Sequence, residues 1–157
     1  MNKFIYTLLI PIVTIQSIAL AHCQVPCGIY DDALRIVQIK EDFKTIRKAM
    51  DQISQLSEKT DPLSNNQLTR WVITKEQHAT NIQKIVSEYF LTQRVKTAKS
   101  QKEIEQTTTL HHILVSAMKC KQTVDVSNVD LGVQLVDTFV GYYFDSHALD
   151  HLKKLTE

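Results

Sequence analysis

Apolar side chains recur every three or four residues along most of this chain, with charged side chains between them. From Asp31 to Leu56 the recurring set is Leu34, Val37, Phe43, Ile46, Met50 and Ile53, and Ile36 and Ile39 widen the stripe. That spacing is one face of an α-helix, so a helix is expected over about residues 31–56. Ser57 to Asn66 holds Asp61-Pro62 among clustered polar residues and reads as a loop. A second helix is expected from about Gln67 to Val95, with Leu68, Trp71, Val72, Ile82, Ile85, Val86, Tyr89 and Phe90 on its apolar face. Lys96 to Gln101 is polar and suits a connection. A third helix is expected from Lys102 to Lys121, with Ile104, Leu110, Ile113, Leu114 and Met118 facing inward. Ser127-Asn128-Val129-Asp130 resembles a helix start, because a side-chain oxygen can cap the free amides. The last helix carries Val129, Val133, Val136, Phe139, Val140 and Tyr143, and its Gly132 and Gly141 suit a close helix approach. Long helices with modest connections predict an all-α fold, an antiparallel four-helix bundle.

Residues 1–21 follow a different pattern. Lys3 precedes an apolar run from Phe4 to Ile15, and Ala19-Leu20-Ala21 matches a small-x-small cleavage site. The run falls short of the roughly 20 residues that span a bilayer. The expected reading is a cleaved export signal over 1–21 and one domain over 22–157. Signal peptidase then matures the chain, which is free of the membrane after cleavage. It is periplasmic in a bacterium, or in the secretory pathway of a eukaryote.

The 18 basic residues outnumber the 17 acidic ones only through Lys3, so the remaining chain is balanced. That balance gives no electrostatic case for nucleic acid. Three Gly and three Pro are too few for a turn-rich β-sandwich. Three cysteines are an odd number for an exported chain. Cys120, in a helical stretch, reads as a small buried residue.

The chemistry gathers at His22-Cys23-Gln24-Val25-Pro26-Cys27-Gly28-Ile29-Tyr30. Cleavage after Ala21 would make His22 the first residue. Its free amine (pKa about 8), its imidazole, the Cys23 amide and the Cys23 and Cys27 thiolates then share one short hook. Pro26 stiffens the turn before Cys27, and Gly28 lets the chain bend away. Amine and amide nitrogens with two thiolates lie naturally in a plane, a geometry that favours Cu(II) or Ni(II) over tetrahedral zinc. Thiolates tend to reduce Cu(II), so nickel fits better. On the residues alone two other readings stay open. One is an exported helical protein that binds nickel or copper without catalysis. The other is a helical interaction module in which Cys23 and Cys27 form a plain disulfide.

His-Cys-x-x-Pro-Cys-Gly-x-Tyr at a processed N-terminus resembles the nickel hook of the nickel-containing superoxide dismutases. The resemblance implies a four-helix bundle, a homohexamer, one nickel ion per subunit, and disproportionation of superoxide to oxygen and hydrogen peroxide by Ni(III)/Ni(II) cycling. It implies that His22 binds nickel through its amine and imidazole, Cys23 through sulfur and amide, and Cys27 through sulfur. Tyr30 matches a tyrosine that screens the open face. Arg70-Trp71-Val72-Ile73-Thr74-Lys75-Glu76-Gln77 resembles the family's second-helix signature, and Glu88-Tyr89-Phe90 a later acidic-Tyr-Phe element near the metal. Gln38, Arg70, His78 and Tyr89 are therefore candidate residues around the ligands. The chain departs from relatives that carry Glu at Gln38 and Arg at His78, so both charges are expected to be lost there. Gln24 replaces an Asp. A general export signal stands in place of the pro-sequence expected in most relatives.

Other histidines carry less. His147 and His151 share a helical face near the end of the chain and read as a solvated pair. His111 and His112 are adjacent and point in different directions. Tyr142-Tyr143-Phe144 reads as packing.

Overall fold

A computed structural model describes residues 31–95 and 98–157. The export segment and the hook, residues 1–30, lie outside them. The described chain is all-helical, and among the described residues no helix is long and apolar enough to cross a membrane. Helix α1 spans Asp32–Leu56 and α2 spans Pro62–Lys84. A wider π-helical segment, Ile85–Arg94, continues α2. Then come α3, Gln101–Gln122; α4, Ser127–Tyr143; and α5, Ser146–Thr156.

Four of the α-helix starts are set by side chains that satisfy free amides; α4 follows Val126 with no side-chain cap, against the capping expected at Ser127-Asn128. Asp31 accepts hydrogen bonds from the Ala33 and Leu34 amides at 2.8 and 3.2 Å. Ser100 and Glu103 form a reciprocal capping box ahead of α3. Asp61 caps α2 through the Ser64 amide at 2.9 Å. Helix α2 therefore begins at Pro62, earlier than the expected Gln67, and the loop is correspondingly shorter. Proline suits a first helical turn, where its missing N–H is not needed and its φ is already helical. Helix α5 was not expected. Phe144 and Asp145 are extended, and the Asp145 side chain caps a new helix at Ala148.

Successive contacts run in opposite directions along neighbouring helices. On α1 and the α2–π unit, Asp32 meets Tyr89, Asp42 meets His78, and Lys48 lies over the Trp71 ring. On α3 and α4, Gln106 donates to the Tyr142 carbonyl at 3.0 Å and Ser116 to the Asn128 carbonyl at 2.6 Å. On α1 and α4, Lys40 pairs with Asp137 at 2.6 Å and Arg47 with Asp130. The buried Lys75 ammonium joins α2 to the end of α3, donating to the Cys120 carbonyl at 2.8 Å and to the Lys121 carbonyl. It satisfies carbonyls that a helix end leaves without partners.

The core seam of α1 is Ile36, Ile39, Phe43, Ile46 and Met50, all almost fully buried. It lies to one side of the stripe expected from sequence, so Leu34 falls at the margin and is 44% exposed. Val72, Ile104 and Met118 are exposed as well, against the expected inward orientation. Each lies on the outer flank of a helix whose seam passes through other residues. Cys120 is buried, as expected. Phe90, Phe139 and Tyr143 form an aromatic knot, with Phe90 edge-on to Phe139 at 5.1 Å and Phe139 stacked on Tyr143 at 5.0 Å.

Gly132 is a close-approach glycine and Gly141 is not. A Cβ at Gly132 would lie 2.3 Å from the Phe43 ring and 2.8 Å from the Ser116 hydroxyl. At Gly141 it would meet nothing within 4 Å. The two substitutions should therefore act with opposite sign. Gly132→Ala overpacks the core and is expected to destabilise by about 1–2 kcal/mol, after the helix-propensity gain is subtracted. Gly141→Ala should stabilise by roughly 0.5–1 kcal/mol. Urea unfolding of the two variants reads both signs.

Candidate functional site

The start of α1 follows directly on residues 22–30 in sequence, and it carries a dense cluster of polar contacts. One carboxylate, Asp32, receives three side chains from two other elements. Tyr89 donates its hydroxyl to Oδ1. Arg94 donates Nε to the same oxygen at 2.7 Å. Tyr143, from the end of α4, donates its hydroxyl to Oδ2 at 2.8 Å. Arg94 Nε also lies 3.1 Å from the Tyr89 hydroxyl, and its guanidinium sits 5.3 Å from the centre of the Tyr89 ring.

The π segment makes this cluster possible. In an α-helix residues five apart are turned away from each other by about 140°. Hydrogen bonds that skip five residues widen the turn and bring such residues much closer to one side. Within Ile85–Arg94 the Val95 amide reaches the Phe90 carbonyl at 2.8 Å, and the Thr92 hydroxyl reaches the Ser87 carbonyl at 2.6 Å. Tyr89 and Arg94 thus face the same acid.

Burial, then the hydrogen bond to the Asp32 carboxylate, pushes the Tyr89 phenol up to about 12. Burial and Asp32 raise Tyr143 as well. Both tyrosines act as proton-holding donors at neutral pH.

A second polar group lies about 15 Å further along α1, ten residues on at 1.5 Å each. His78 Nδ1 donates to Asp42 Oδ1 at 2.5 Å, and Arg35 donates to Gln38 Oε1 at 2.7 Å. Burial raises the Asp42 carboxyl, with the His78 hydrogen bond acting against it. A cleft of about 380 Å³ opens here, lined by Arg35, Gln38, Asp42, Asn81 and Lys84 among others.

Gln38 and His78 both have partners within the described residues. Gln38 is neutral, but the Arg35 guanidinium holds it, and His78 has an acid in Asp42, one turn beyond Gln38. Arg70 is exposed in the first half of α2. The structure does not bring it to Asp32 or to His78. Tyr89 lies at the start of α1, where its hydroxyl meets Asp32. His22, Cys23, Cys27 and Tyr30 lie outside the described residues. Asp32, Asp42, Arg94 and Tyr143 were not singled out as functional from sequence. An Asp in the first turn of a long helix, close in sequence to a ligand-rich segment, was the available signal for the first of them.

Among the described residues no three His, Cys, Asp or Glu side chains gather closely enough to hold a metal ion. Burial raises the Cys120 thiol to about 11, which keeps it protonated and unsuited to coordination at neutral pH.

Comparison with known proteins bears on most of the chain. The family model described as nickel-containing superoxide dismutase matches residues 17–147. The chain belongs to that family. It is an oxidoreductase that acts on superoxide, with nickel as its cofactor. No curated protein and no solved structure matches it. The match runs from residue 17 through α1 to the start of α5.

Two outcomes test the cluster. Asp32→Ala leaves three donors without their acceptor and should lower the stability of metal-free protein by about 2–3 kcal/mol in urea unfolding. The raised Tyr89 value means that the folded state holds its proton more tightly than the unfolded state does. That contribution is complete below pH 10 and is lost as pH rises towards 12, so the 295 nm titration of folded protein should show Tyr89 ionising late.

Proposed function

We propose that the chain is an exported nickel superoxide dismutase whose metal is held by a hook of residues 22–30 on an antiparallel four-helix bundle. The observation that carries this reading is the family match over residues 17–147, which spans the His-Cys-x-x-Pro-Cys-Gly-x-Tyr segment. The donor set suits the metal. His22 would give its amine and imidazole, Cys23 its sulfur and amide, and Cys27 its sulfur. Two thiolates with two backbone nitrogens would suit nickel. Nickel bound there supplies one-electron cycling between Ni(III) and Ni(II).

The chain's own residues do the rest. Asp32, gripped by Tyr89, Arg94 and Tyr143, fixes where the hook departs. Nine residues can reach about 30 Å when extended, so His22 lies within range of both Asp32 and the Gln38–Asp42–His78 group. An amide such as Gln38, oriented by Arg35, and an imidazole paired with an acid are suited to hold a ligand's ring by hydrogen bonding. Tyr30 would screen the open side of the hook and order water there. Export, removal of residues 1–21 by signal peptidase and assembly into a homohexamer belong to the same proposal, on the cleavage pattern and the family resemblance.

The free amine of His22 decides the matter. Adding one residue before His22 turns that amine into an amide nitrogen. The variant is expected to lose nickel affinity and at least 100-fold in catalysed superoxide decay measured by pulse radiolysis, on the scale of a lost essential ligand. Equal activity in the extended protein would overturn the assignment. A wild-type protein that takes up nickel without accelerating superoxide decay would favour simple metal binding.

A further inference from the structure

Helix α5 lies beyond the family match except for Ser146 and His147, so its role is not covered by membership. It packs on α1, burying Leu152 and seating Leu149 against the core. From that seat His151 Nε2 donates to Asp31 Oδ2 at 2.5 Å. The other oxygen of the same carboxylate accepts from the Ala33 and Leu34 amides. One acid thus joins α5 to the first turn of α1. The His151 hydrogen bond is the main influence that holds the Asp31 carboxyl below its ordinary value. His151 is exposed, as expected from sequence, and so is Asp31; what the sequence did not show is the pairing between them.

Asp31 is next in sequence to Tyr30, and Asp32 is fixed from the opposite side by Tyr89, Arg94 and Tyr143. A cleft of about 490 Å³ at this junction is lined by Asp31, Asp32, Arg94, Tyr143, Asp145 and His151 among others. We propose that α5 is a clamp on the base of the hook. His151 is its positioning residue: through Asp31 it fixes the point at which residues 22–30 leave the body, and so slows nickel release. The proposal rests on the nickel-hook reading, and one arm of its test does not need nickel.

The experiment uses the full mature protein with His151→Ala and His151→Gln, the latter keeping a donor of similar reach. The first readout is hydrogen exchange at the Ala33 and Leu34 amides in metal-free protein. The second is nickel transfer from loaded protein to EDTA, with urea unfolding as the check on global stability. His151→Ala should speed both exchange and nickel release by about threefold to fivefold, the scale of one partly exposed ion pair. His151→Gln should restore most of each. Unchanged exchange in His151→Ala overturns the clamp. Faster exchange with unchanged nickel release overturns its link to the hook and leaves α5 a packing element. A wild-type chain that binds no nickel overturns the hook reading instead, and the exchange arm tells the two failures apart.

Discussion

The Asp32 carboxylate is the constraint on which the functional end of this molecule depends. An acid with little access to water is costly unless it is paired and hydrogen-bonded. Here the partners come from the π segment and from the end of α4, so the charge is satisfied only when three separate elements meet. The aromatic knot of Phe90, Phe139 and Tyr143 lies directly behind it. Tyr143 takes part in both, its ring in the knot and its hydroxyl on the acid. Apolar packing and charge satisfaction therefore reinforce each other where α1 begins.

The helices were largely legible because their apolar positions repeat at helical spacing. What the repeat could not supply was its phase to within one residue. Ile36 and Ile39 looked like the edge of a stripe and are its centre, while Leu34 lies at the margin. The start of α2 was misplaced because Asp61-Pro62 signals a turn and a helix start equally well. Helix α5 escaped because its break, Phe144-Asp145, contains neither glycine nor proline. Two glycines that look alike in sequence differ because Phe43 approaches only Gly132.

The hook was the clearest chemical signal in the sequence, and the family match covers it. Its surroundings were much less legible. Tyr89 could be singled out from a short motif, yet its partners Asp32, Arg94 and Tyr143 are dispersed along the chain and joined only by folding. Arg94 in particular depends on π winding, which periodicity at 3.6 residues cannot reveal. Gln38 and His78 could be singled out from sequence, but their partners Arg35 and Asp42 show only in the folded chain.

The wide winding of Ile85–Arg94 also bears on how this helix tolerates a change of length. An extra residue in a regular helix swings everything after it by about 100° around the axis. Over a stretch that already departs from regular winding, Phe90 stays on the inner side while Arg94 still reaches its acid. The irregular turn thus serves as a rotational adapter between two requirements, one apolar and one ionic. Restoring ordinary winding there would force the chain to forfeit one of them.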